Sequence, residues 1–212
     1  MSASTPIARS KSAALARVVD SIPKGYSRYL IGTIPAAKAS ALAVKFHRLY
    51  GIGCTPAQRI TRKAHGLASC LLVMYWPESA ERVDWLVLAT DGVGLEAEAK
   101  SLHHVIKNRL LWLGYELVRH PARGMTAWTW RRPKEQMRAL HTLLAEQLGR
   151  HHHAAVGDTL ARLAHQPGFH GVREQSWRLF QLARARGYPG DLPFLAYLPK
   201  VSHGERLSLP AP

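Results

Sequence analysis

The chain has 212 residues, 29 Lys and Arg against 14 Asp and Glu, a formal charge of +15 and a pI near 10.4. Hydrophobic residues at 47% and charged residues at 20% are a globular balance, which excludes a disordered basic tail for most of the chain. No apolar run approaches the roughly 18 residues of a membrane span, and the first residues lack the apolar core of a secretory signal. Cys54 and Cys70 form neither a CxxC pair nor a disulfide framework, so a reducing cytoplasm and no membrane contact are expected.

The charge is uneven. Eleven Lys and Arg stand against Asp20 alone in residues 1–75, residues 76–100 hold two basic and six acidic residues, and the basic excess returns from residue 101. Arginines outnumber lysines 20 to 9. Guanidinium groups grip phosphate bidentately and stack on bases, although the same ratio is the texture of a GC-rich bacterial genome. A concentrated positive excess points to a polyanion, nucleic acid first.

In chain order, residues 1–12 read as a mobile basic arm and 13–21 as a short helix broken by Pro23-Lys24-Gly25. The aromatic and β-branched stretch from Tyr26 to Ile34 predicts a strand. Ala39, Leu42, Ala43, Phe46 and Leu49 recur at helical spacing over 36–50, and Gly51 is the stop. Residues 51–67 form a glycine-rich basic connection. Residues 68–76 and 83–92 make a hairpin of buried strands. Residues 94–108 predict a helix with an acidic first turn, and 109–120 and 125–132 predict strands joined by Pro-Ala-Arg-Gly. This order suggests a ferredoxin-like, split β-α-β antiparallel sheet of α+β class. It would occupy 24–132, with the basic arm and short helix at 1–23. A helical extension ending in a proline-rich strap would occupy 133–212.

A sheet covered by helices on one face leaves the other open. Alternation puts Thr126, Trp128 and Trp130 on one side of the last strand, followed by Arg131, Arg132 and Lys134. The first strand adds Tyr26, Arg28 and Tyr29, and the hairpin adds Trp85. Aromatic residues interleaved with cations are how single-strand binders stack bases and neutralise phosphates. A second constellation is Gly51-Ile52-Gly53 with Arg59, Arg62, Lys63 and His65, where glycines admit an anion to the backbone. It matches neither a Walker loop nor a dinucleotide fingerprint.

Twelve histidines include His103-His104 and His151-His152-His153, without HExxH or Cys/His ligand spacing, so no metal and no cofactor are expected. His47, His65, His103 and His120 are candidate acid/base groups for a metal-independent ribonuclease. Asp91, Glu96 and Glu98 read as a turn and a helix start rather than metal-binding acids. Arg173, Arg178, Arg184 and Arg186 lie on a C-terminal helix expected to pack on the body or meet a protein partner. The expectation is a nucleic-acid-binding protein, alone or in a nucleoprotein complex, favouring RNA or single-stranded DNA over duplex. A metal-independent RNA endonuclease and an adaptor for an acidic protein are the alternatives.

Overall fold

Serine and threonine caps, glycine stops and unbroken apolar runs divide the chain into its elements. The computed structural model describes residues 3–122, 125–197 and 205–210. They fall into two units, residues 1–113 with 201–212, and residues 114–200.

The first unit runs β1 (Ser4–Ala8), α1 (Lys11–Ser21), β2 (Arg28–Pro35), α2 (Ala39–Tyr50), α3 (Pro56–Ala64), β3 (Cys70–Tyr75), β4 (Arg82–Ala89), β5 (His103–His104) and β6 (Leu111–Trp112). The second runs β7 (Tyr115–Ala122), β8 (Met125–Arg131), α4 (Lys134–Gly149), α5 (His153–Ala164) and α6 (His170–Ala185). The chain then returns to the first unit with β9 (Arg206–Ser208).

Ser10 caps α1 by accepting from the Ala13 amide. Gly51, at φ 63°, ends α2 with its N–H on the His47 carbonyl, a conformation that costs glycine little. The first unit's sheet is six-stranded and mixed, in the order β5-β2-β4-β3-β1-β9. β1 runs parallel to β3, and the other pairings are antiparallel. Cys70, Leu72, Met74, Val87 and Ala89 join Ala43, Phe46 and Tyr50 of α2 in one core. The alternate residues Leu71, Val73, Leu86 and Leu88 are buried as well. The central strands are thus covered on both faces, the condition that near-continuous apolar runs satisfy.

The architecture is mixed α+β, with six α-helices among the described residues, and the sheet is mixed where a wholly antiparallel one was expected, because β1 runs parallel to β3. The strands at 115–122 and 125–131 belong to the second unit, which begins at residue 114. Residues 94–108 hold only a short 3-10 turn at Glu96–Glu98 and then β5, because His103 and His104 pair with Tyr29 and Arg28. Sheet pairing there overrides helix propensity. The N-terminal stretch is a strand between β3 and β9 rather than a loose arm. The connection at 51–67 contains α3, whose Thr55 and Gln58 exchange the two hydrogen bonds of a capping box.

In the second unit, Leu144, Leu148, Val156, Leu160, Leu179 and Phe180 form the core of the three helices. α6 begins against β8: the Gly171 N–H donates to Thr129 Oγ1 at 3.1 Å, and a Cβ there would lie 2.6 Å from the Trp130 carbonyl oxygen. Arg132, fully buried just past β8, locks this junction. Its Nε donates to Gln166 Oε1 (2.7 Å), Nη1 to the Val172 carbonyl (3.1 Å) and Nη2 to Ser176 Oγ (2.7 Å). The Gln175 amide brackets its backbone N–H and carbonyl. Burial pushes the guanidinium down to about 10, so it stays charged at neutral pH. A lysine cannot reproduce the planar three-way fork. Arg132→Lys is therefore expected to lower the unfolding free energy by about 2 kcal/mol or more, seen as a reduced urea midpoint.

Candidate nucleic-acid interface

α3 sits where a glycine turn, a capped helix start and the C-terminal strand meet. Thr55 and Pro56 open the helix, and Arg59 follows one turn from the cap. The capping box already occupies the Thr55 and Gln58 amides, so an anion here would be held by guanidinium groups more than by the helix end. Three of them line one cavity of about 400 Å³: Arg17 from α1, Arg59 from α3 and Arg206 from β9. Among the described residues its wall contains no acidic one. Arg206 is fixed by bonds from Nε to Ser4 Oγ (2.8 Å) and Nη2 to the Ser4 carbonyl (3.2 Å). Arg17 Nε is buried and without a hydrogen-bond partner. Burial lowers the Arg17 pKa, and Arg206 and Arg59 lower it further, while Tyr26 and Asp20 oppose them. Like charges held together in this way favour a bound anion, which relieves their repulsion.

Below the cavity wall, His47 fixes the turn. Its Nδ1 accepts from the Gly53 N–H at 3.2 Å, so the neutral ring carries its proton on Nε2. A Cβ on Gly53 would lie 3.1 Å from this nitrogen. Arg62 folds back across the turn, its Nη2 3.5 Å from the Ala68 carbonyl oxygen. Lys63 and His65 are exposed at the end of α3.

The structure separates the other sequence-predicted site residues. Arg28 pairs with Asp91 at 2.9 Å on β2. Trp130 and Arg132 are both fully buried and offer nothing to a ligand, so the expected open aromatic face is absent from these positions. Arg131 is paired with Glu116, its cross-strand neighbour, at 3.0 Å. Lys134 is exposed at the start of α4. Trp128 is half-buried, with the Arg119 guanidinium 5.2 Å from its ring centroid. Thr126 falls among side chains outside the described set. Tyr26 and Tyr29 are buried, and Trp85 lies across Gly32.

The acids near residue 91 are engaged structurally. Besides the Asp91 pair, Glu96 accepts from the Gly94 amide and Glu98 from the Tyr50 hydroxyl. Of the four acid/base candidates, His47 is buried, His65 caps α3 and His103 lies in β5. Only His120 faces a second histidine and a carboxylate among the described residues. Arg17 and Arg206 went unread in the sequence, because the first lies on an ordinary amphipathic helix and the second is far along the chain. Comparisons with protein-family models, curated proteins and solved structures give no match.

Burial holds the folded His47 pKa below its ordinary value. As pH falls through the ordinary histidine range the unfolded chain takes up this proton first, so stability is lost until the depressed folded pKa is passed. Protonation would also set an N–H against the Gly53 N–H. The urea midpoint is expected to fall between pH 7.5 and pH 5. His47→Asn, whose Oδ1 can accept from Gly53, is expected to flatten that fall.

Proposed function

We propose that the chain binds nucleic acid through its backbone phosphates, using the arginine cavity of the first unit as the anchor. The observation that carries the reading is the meeting of Arg17, Arg59 and Arg206 at one cavity whose wall, among the described residues, holds no carboxylate. Three guanidinium groups together outweigh the charge of the nearby Asp20 and suit an external anion, and Arg matches phosphate oxygens geometrically. Lys63 and His65, exposed on the same helix, extend the positive surface along the path of a backbone. The overall charge of +15 adds long-range attraction.

Phosphate contacts of this kind position a strand without reading its sequence. A preference for RNA or single-stranded DNA over duplex has Trp128 with Arg119 as its support, a half-buried indole beside a guanidinium that can serve as a stacking platform. Fluorescence anisotropy with labelled single-stranded RNA, single-stranded DNA and duplex DNA tests the reading across a salt series. Binding is expected to weaken steeply with salt. Arg59→Gln and Arg206→Gln should each reduce the single-strand slope of log K against log salt by about 0.7. No binding at low salt, or variants with unchanged slopes, would refute the proposal.

A further inference from the structure

The second unit carries a cluster that phosphate binding does not use. His120 on β7 and His170 and Glu174 on α6 bring Nε2, Nε2 and a carboxylate oxygen within 4.8 Å of one another. The two Nε2 atoms are 3.0 Å apart, with the rings edge to face at 67°. His120 Nε2 lies 3.5 Å from Glu174 Oε2. Zinc bonds of about 2.0–2.2 Å in tetrahedral geometry place ligand atoms roughly 3.3–3.6 Å apart; the 3.5 Å His120–Glu174 edge falls within that range, and the 3.0 Å His120–His170 edge is slightly shorter.

The elements that carry these groups are fixed to each other. His170 and Glu174 share one face of α6 by their four-residue spacing. The start of α6 is tied to β8 by the Gly171–Thr129 bond, and β8 pairs in register with β7, His120 opposite Ala127. Glu174 is also oriented from behind: its Oε1 accepts from Arg178 Nη2 at 2.5 Å, which leaves Oε2 turned to His120. Such an outer partner is what holds a ligating carboxylate in place.

We infer that His120, His170 and Glu174 form a binding site for a zinc-class divalent ion, with an open coordination position. His170 and Glu174 also line a cavity of about 550 Å³, walled by Arg173, Trp177 and residues 192–195. Three protein ligands beside a cavity are the pattern of a site that exchanges its remaining ligand, in contrast to a closed four-ligand structural site. The ion would hold a water or a small anionic group at that position; Arg173 lines the same cavity, with its Nε donating to the Leu195 carbonyl at 3.3 Å.

Tag-free full-length protein titrated with Zn²⁺ by calorimetry, and with Co²⁺ by visible absorption, tests the site. One ion per chain is expected, with the strong visible bands of low-coordinate cobalt and a zinc-dependent rise in Tm. His120→Ala, His170→Ala and Glu174→Gln should each weaken binding more than about 100-fold, beyond the 10–100-fold typical of losing an outer partner. Glu174→Gln keeps an acceptor for Arg178, so it remains informative if a histidine variant fails to fold. His151→Ala with His153→Ala should leave affinity unchanged. The absence of a saturable site, unchanged affinity in Glu174→Gln, or affinity lost with the His151 and His153 pair would each overturn the inference.

Discussion

A shortage of carboxylates governs how this protein places its arginines. With 29 basic side chains and 14 acidic ones, about half of the basic groups have no acid of their own, and each of these must be hydrated, bonded to neutral oxygens, or left beside other cations. Arg132 takes the second course. It is fully buried with amide, carbonyl and hydroxyl acceptors in place of an acid. A buried cation held this way depends on every acceptor, since losing one strands part of its charge in a poorly solvating interior. The junction of β8 with α6 therefore has little freedom, and the elements that follow inherit its geometry.

Arg17 and Arg59 take the third course, beside an Arg206 that bonds to the oxygens of Ser4. Burial first, and the Arg206 and Arg59 charges after it, lower the Arg17 pKa, and both work against the folded first unit. Burying a hydrogen-bonding nitrogen of Arg17 without a partner adds a further cost. A fold keeps such a feature at low cost only if something else neutralises it. The scarcity that builds the Arg132 junction inside the second unit also leaves three arginines around one cavity of the first.

Local pattern made β2, β3, β4, α1 and α2 legible, because each is a run whose apolar period and glycine or proline stops agree. α3 was also written in the sequence, as Thr55-Pro56 followed by Gln58, but the neighbouring glycines masked it. β1 and β9 were not legible: five and three residues become strands only by pairing with each other and with β3 across the length of the chain. Residues 94–108 show the opposite failure, a helical composition captured by an edge pairing with β2. At the site, alternation identified the strand that carries Trp128 and Trp130. Nothing in a two-residue period says which face is covered, and full burial removed Trp130 and the following Arg132 from the candidate surface. Arg59, Lys63 and His65 were legible as a basic run. Arg17 and Arg206, which complete the cavity, come from the two ends of the chain, where no spacing rule applies.

The same scarcity gives Glu174 its significance. Carboxylates near exposed arginines are ordinarily drawn to them, and Arg9 with Glu205, Arg28 with Asp91 and Arg131 with Glu116 follow that course. Glu174 divides its oxygens, one to Arg178 and the other toward His120, with His170 completing the group. Two neutral imidazoles 3.0 Å apart can share only one proton between those nitrogens, so the pair has a single hydrogen bond and one Nε2 lone pair committed to it. A divalent cation would engage both lone pairs and the carboxylate at once and supply the positive charge that two neutral rings lack. In a chain with cations in excess, an acid directed at two histidines is better matched to a metal ion than to another side chain.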